Sequence, residues 1–143
     1  MIMTNIFLPE EDIEYLQEKG IIFESKIESV PGGKDRRAVL FPNFIVPGNL
    51  RTYVGETLTP ISNCNLMVLI PDGYATTKLD SFYTSPRLKR INGTDPDRAN
   101  VEAALFGQRW QFWSRHLADT DWRVGIDGLG TFLSYVSNEF RIA

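Results

Sequence analysis

The heptad Cys64-Asn65-Leu66-Met67-Val68-Leu69-Ile70 constrains the fold more than any other stretch. From Leu66 onward it is apolar at every position, the pattern of a central strand covered by a helix rather than of a strand with one wet side. The run stops at the turn Pro71-Asp72-Gly73-Tyr74. A central strand needs neighbours, and the sequence offers them on both sides. Upstream, Ile21-Ile22-Phe23 opens a strand to about Val30, and Pro31-Gly32-Gly33-Lys34-Asp35 is turn chemistry throughout. Ala38-Val39-Leu40-Phe41 and Phe44-Ile45-Val46 form the return strand, interrupted at Pro42 and stopped by Pro47-Gly48, so these two strands read as an antiparallel hairpin. Downstream, Ser81-Phe82-Tyr83-Thr84 is a short strand ahead of Pro86.

Helices flank this set. Leu8-Pro9-Glu10-Glu11-Asp12 starts one, with proline in the first turn and acids at the positive end of the dipole. Ile13, Leu16 and Tyr15 supply its inner face, and Gly20 ends it. After Trp122, the residues Ile126, Leu129, Phe132, Leu133, Val136 and Phe140 fall on one face at helical spacing, with Asp127 as its cap or in its first turn. Residues 47–63 read as a polar crossing and 87–100 as a loop, while 101–106 fit either a short helix or a strand. The order predicts one α+β domain over residues 1–143, with helices packed on a four-strand antiparallel meander.

Composition narrows the function classes. Net charge is -3, which argues against a general nucleic-acid role. No apolar run approaches the roughly 18 residues of a membrane span. Met1-Ile2-Met3-Thr4-Asn5 lacks the basic-then-apolar order of a signal peptide, and the expected location is the cytoplasm. One cysteine excludes an internal disulfide and a cysteine-built zinc site, and no cofactor or metal is expected. That residue, Cys64, shares a strand face with Leu66, Val68 and Ile70, the setting of a packing cysteine.

The chemistry concentrates near the end of the chain. Trp110-Gln111-Phe112-Trp113-Ser114-Arg115-His116 and Asp121-Trp122 hold all three tryptophans and the only histidine. Such a cluster makes a rigid, largely dehydrated platform. Ser114 and His116 are two apart, so on an extended backbone they share a face, and an imidazole beside a hydroxyl is the smallest activated nucleophile. Arg115 would then point elsewhere, toward a partner, and is also a candidate to support the oxyanion or substrate. Asp119 and Asp121 are candidates to orient an incoming lysine. Among Arg87, Lys89 and Arg90, the choice lies between a solvated loop and contact with an acidic partner surface.

The order of helix, meander, Pro-x-x-Tyr turn, irregular segment, Trp and helix resembles that of ubiquitin-conjugating enzymes. Pro71-Asp72-Gly73-Tyr74 looks like that family's Pro-x-x-Tyr-Pro turn, with Ala75 in place of the second proline. Trp122 looks like the Trp found eight residues after the family's catalytic cysteine, and eight residues before Trp122 stands Ser114. In detail the chain, over roughly residues 8–140, is similar to a divergent bacterial branch encoded beside ubiquitin-like, activating-enzyme-like and metal-dependent deubiquitinase-like genes. The resemblance implies a UBC-like fold, with a ubiquitin-like protein and an activating-enzyme-like protein as partners and a deubiquitinase-like protein encoded nearby. It also implies a transferase carrying its cargo on Ser114 as an oxyester, with His116 as general acid and base. Tyr74 is expected to pack and bond its hydroxyl locally. The chain departs from the family in lacking a cysteine at the nucleophile position. It also lacks His-Pro-Asn, whose Asn supports the oxyanion. Ser85-Pro86-Arg87 stands in the comparable place, and Asn92 is the candidate substitute. Val124 replaces a proline two residues after the Trp.

Two other function classes compete. Loss of cysteine and Asn favours a non-catalytic adaptor of the same fold that binds a ubiquitin-like protein or its activating enzyme. A serine hydrolase is disfavoured, because no Gly-x-Ser-x-Gly elbow is present and the histidine has no evident acidic orienter in the sequence.

Overall fold

The computed structural model describes residues 7–143, apart from the side chain of Asp119; the N-terminal stretch read above for a signal peptide lies outside the described residues. The elements run α1 (Glu10–Glu18), β1 (Glu24–Glu28), β2 (Arg36–Ile45), β3 (Arg51–Val54), β4 (Thr57–Pro60), β5 (Asn63–Leu69), β6 (Phe82–Ser85), β7 (Val101–Leu105), β8 (Gln108–Trp113), a 3₁₀ turn (Asp119–Asp121) and α2 (Leu129–Ile142). Six strands form one antiparallel sheet in the order β1-β2-β5-β6-β8-β7, and β3-β4 form a separate two-stranded ribbon. The expected helices and antiparallel meander are present. The expected count of four strands is too low.

The apolar heptad is central, as its composition demands. β5 pairs with β2 on one side and β6 on the other. Cys64, Leu66, Val68 and Ile70 join the main core, which Leu16 of α1 and Leu129, Phe132, Leu133, Val136 and Phe140 of α2 complete. Met67 points into a second cluster with Ala38, Leu105 and Trp110. Two apolar clusters on alternate residues of one strand account for its unbroken run of apolar side chains. The β1-β2 hairpin forms, although its first strand is Glu24–Glu28 and Ile21-Ile22-Phe23 precede it, and β2 continues through Pro42 because the register shifts between Phe41 and Phe44. That irregularity accommodates a residue with no N–H to donate, with Asn43 beside it at a φ of 60°.

Three readings are corrected and one open choice is decided. Residues 47–63 are not only a crossing: they hold the β3-β4 ribbon, braced against the following loop by paired backbone bonds between Arg51 and Lys89 at 2.7 Å. Of residues 101–106, Val101–Leu105 are a strand that pairs with β8 through a two-residue turn, Phe106-Gly107, both at positive φ. Residues 108–113, within the segment ahead of the last helix that reads as irregular, are therefore a regular strand. Ile126 lies before α2 and is 68% exposed, so it is not part of the packed face.

Helix ends tie the sequence extremes together. α1 closes with Gly20 N–H on the Gln17 carbonyl and Ile21 N–H on that of Leu16, with Gly20 at a φ of 65°. α2 begins after Gly128, which has no side chain to cap with. Asp12, from α1, does the work instead: its Oδ1 accepts from Leu129 N–H at 3.2 Å and its Oδ2 from the Tyr74 hydroxyl at 2.6 Å. A Cβ on Gly128 would come within 2.4 Å of that Oδ1, so only glycine lets the carboxylate approach. Asp127 accepts from Arg123 N–H and from the Thr131 hydroxyl just outside and inside the first turn.

Candidate active site

β8 delivers its last aromatic residue into the core and then hands the chain to the Ser114 segment. Trp113 stacks on Phe82 at 5.2 Å, meets Phe140 edge-on at 5.3 Å, and donates its indole N–H to Thr84 Oγ1 at 2.9 Å. From there the backbone is held residue by residue. Ser114 N–H donates to the Arg98 carbonyl at 2.9 Å, and Arg115 N–H donates to Ser81 Oγ at 3.1 Å. Ser81 returns its hydroxyl to the Arg115 carbonyl at 3.0 Å. Leu117 N–H donates to Asp80 Oδ1 at 3.0 Å, and the Leu117 carbonyl accepts from Lys78. Such anchoring fixes the segment before any substrate arrives.

Burial alternates through it. Trp113 and Arg115 are buried, Ser114 is half-buried and His116 is exposed, the pattern of side chains that point to opposite sides in turn. Arg115 is thereby corrected from a partner-facing residue to an internal one. Its guanidinium pairs with Glu139 of α2, donates to the Asp97 and Ser114 carbonyls at 3.0 and 2.9 Å, and lies 5.1 Å from the Trp113 ring centre. A guanidinium this deep needs the carboxylate, the carbonyls and the ring face together.

His116 opens on a cleft of about 500 Å³ whose walls include Arg37, Ile70, Asp72, Asp80 and Tyr83. Its Nδ1 lies 3.9 Å from Asp80 Oδ2, so the structure supplies the acidic neighbour that the sequence did not show. Ser114 is not among the cleft-lining residues, and among the described residues no hydrogen bond joins it to His116. Burial pushes the Tyr83 hydroxyl above its usual range, while the Lys34 ammonium holds the exposed Asp72 carboxyl below its own.

The Pro71–Tyr74 turn and Trp122 pack together. Trp122 is buried, donates its indole N–H to the Ala75 carbonyl at 3.0 Å, and packs 6.3 Å from the Tyr74 ring. Tyr74 bonds Asp12, and burial raises the pKa of its hydroxyl. Asp121 is exposed at the end of the 3₁₀ turn, and the Asp119 side chain lies outside the described residues. Asn92 is exposed, and its Oδ1 accepts from the Thr94 N–H and hydroxyl at 3.0 and 2.6 Å. It borders a different hollow, with Arg141 and Leu50, and the structure does not bring it beside His116. The basic run is largely neutralised: Arg87 makes two bonds to Asp95 and one to Glu102, and Lys89 pairs with Asp95 at 2.9 Å. Cys64 is 4% exposed and its thiol is pushed up to about 12 by burial. Among the described residues no group of three His, Cys, Asp or Glu could hold a metal, and no helix is long and apolar enough to cross a membrane.

Sequence reasoning gave no role to two residues that build the site. Gln111 is buried, and its amide accepts from the Thr84 hydroxyl and Leu88 N–H and donates to the Leu88 and Ala99 carbonyls, all at 2.7–3.0 Å. It pins the 87–100 loop whose Arg98 carbonyl holds Ser114. Asp80 links the irregular stretch before β6 to the segment after β8. The only local signal was a polar residue within an aromatic strand, at Gln111; Asp80 had none.

Fold and site together define an E2-like protein: helices at both chain ends on an antiparallel sheet, the Pro-x-x-Tyr turn, and a pinned segment leading to a buried Trp. Residues 8–143 match the model of the prokaryotic E2 family E, and the chain belongs to that family. No curated protein and no solved structure gives a match. Family membership implies a conjugating role of the E2 kind, working with a ubiquitin-like protein and an activating enzyme.

Proposed function

We propose that this chain is a conjugating transferase that carries a ubiquitin-like protein as an oxyester on Ser114, in the cytoplasm of a bacterium. The observation that supports it best is the anchoring of residues 114, 115 and 117 on both sides of an exposed imidazole and a half-buried hydroxyl. On loading, His116 takes the Ser114 hydroxyl proton while Oγ attacks the thioester carbonyl on the activating enzyme. The C–O bond forms, the C–S bond breaks, and the proton leaves with the enzyme's sulfur as a thiol. On discharge, a target amine attacks the ester. His116 takes the amine proton and returns it to Oγ as the C–O bond breaks, a step that an alkoxide leaving group needs far more than a thiolate does. Asp119 and Asp121 remain the candidates to receive the amine, and Asn92 would need the 91–94 loop to move before it could support the oxyanion. A deubiquitinase-like protein encoded nearby would reverse the conjugation.

The adaptor reading is favoured by one observation: the sole cysteine is buried with a thiol that does not ionise near neutrality. Incubation with the neighbouring activating-enzyme-like and ubiquitin-like proteins and ATP separates the two. The carrier reading expects an adduct that survives thiol reductant and yields to hydroxylamine. Ser114→Ala abolishes it, His116→Ala slows it by about 10²–10⁴-fold, and Ser114→Cys gives a reductant-sensitive adduct. If Ser114→Ala loads as well as the unaltered chain, the nucleophile is elsewhere; if no adduct forms at all, the adaptor reading stands.

A further inference from the structure

We propose that Asp80 is the positioning residue of His116: it holds the imidazole in the Nδ1–H form and leaves Nε2 with a free lone pair. The pairing stands on geometry alone, while its purpose, proton transfer at Ser114, rests on the reading above. The two oxygens of Asp80 are not equivalent. Oδ1 accepts from Leu117 N–H at 3.0 Å, which fixes the carboxylate's orientation through the residue that follows His116. Oδ2 is left facing His116 Nδ1 at 3.9 Å. A small rotation of an exposed ring brings that separation to hydrogen-bond distance. Lys78 Nζ lies 3.9 Å from the other oxygen, Oδ1.

A neutral imidazole has one N–H and one lone pair, and the partner of one nitrogen decides the state of the other. A carboxylate oxygen can only accept, so at Nδ1 it selects N–H there and makes Nε2 the base. The same contact stays in place as Nε2 takes the proton. Its strength grows when a bound acyl tail covers the cleft and excludes water.

Asp80→Asn tests this sharply, because Leu117 N–H still requires an oxygen at the Oδ1 place. The amide NH₂ must then occupy the Oδ2 place, where it donates to Nδ1 and selects the opposite tautomer. The chain has a single histidine, so its ring nitrogens give unambiguous ¹⁵N signals. In the full chain at about pH 8, where an ordinary imidazole is neutral, long-range ¹H–¹⁵N correlation is expected to show mainly Nδ1–H. Asp80→Asn is expected to show mainly Nε2–H, and Asp80→Glu to return toward the unaltered pattern. Ester loading should fall about 10²–10⁴-fold in Asp80→Asn and recover in part in Asp80→Glu. An Nε2–H ring in the unaltered chain, or the same tautomer with and without the Asp80 carboxylate, overturns the assignment. Absence of any adduct on the unaltered chain defeats the Ser114 reading instead, and the ring signals still decide whether Asp80 sets the tautomer.

Discussion

Replacing Gln111 with leucine removes the pin between β8 and the 87–100 loop at nearly constant volume. Four groups lose their partner: the Thr84 hydroxyl, Leu88 N–H, and the Leu88 and Ala99 carbonyls. Thr84, Leu88 and Ala99 are each 0% exposed, so water does not take over without the loop opening. Each buried group left unsatisfied costs about 1–3 kcal/mol, whereas the gain from burying leucine in place of the amide is about 1.5–3 kcal/mol. The Thr84 oxygen keeps the Trp113 indole bond, which softens its loss. The net destabilisation is expected near 3–5 kcal/mol, a large share of the 5–15 kcal/mol typical of a domain. Equilibrium urea unfolding reads it directly: with a slope of about 2 kcal/mol per molar, the midpoint falls by roughly 1.5–2.5 M. Hydrogen exchange at the Leu88 amide should accelerate with it. A midpoint shift under about 0.5 M, with Leu88 still protected, would refute the idea that this amide holds the loop.

Three further outcomes follow from the packing and the charges. Leu133→Ala opens a cavity between α2 and the sheet and should cost about 2–5 kcal/mol in the same unfolding assay; a near-zero cost contradicts that packing. Native Cys64 should react with thiol reagents far more slowly than a free thiol, since burial pushes its pKa up to about 12, and Cys64→Ala should leave any conjugation intact. Desolvation raises the Asp12 pKa above 3.8, so the folded state binds this proton more tightly than the unfolded chain does. Its contribution to stability is therefore greatest at low pH and declines as pH rises from about 4 through the folded pKa. The stability of Asp12→Asn relative to the unaltered chain should rise across that window in denaturant titrations, and a relative fall would reverse the assigned direction.

What the sequence made legible was whatever lies in a local pattern. The alternating and continuous apolar runs of β2, β5 and β6 and the helical spacing of α2 each carry their own period, and the tertiary core only confirms it. β7 does not: Val101-Glu102-Ala103-Ala104-Leu105 has two alanines and a glutamate, poor strand formers, and sits at the sheet edge. Its turn, Phe106-Gly107, also lacks the Asn or Asp usual at the first left-handed position. With β7 unread, the aromatic half of β8 had no visible partner and looked irregular. At the site, the serine and histidine were visible because they are neighbours in sequence. Asp80, Glu139 and Arg98 lie 36, 24 and 16 residues from the groups they hold, and nothing in composition or spacing marks such partners.

The carboxylate that Asp12 extends to the first turn of α2 couples residues 117 apart. A ribosome adding about 5–20 residues per second takes roughly 6–23 s to make that length. Throughout that interval α1, at nine residues, is too short to persist alone in water, and Leu16 has no helix to pack against. The order of synthesis thus leaves the first helix waiting for the last. The nascent chain exposes its central apolar strand until α2 emerges, and a chaperone that shields residues 64–70 during that time would act where the fold is least protected.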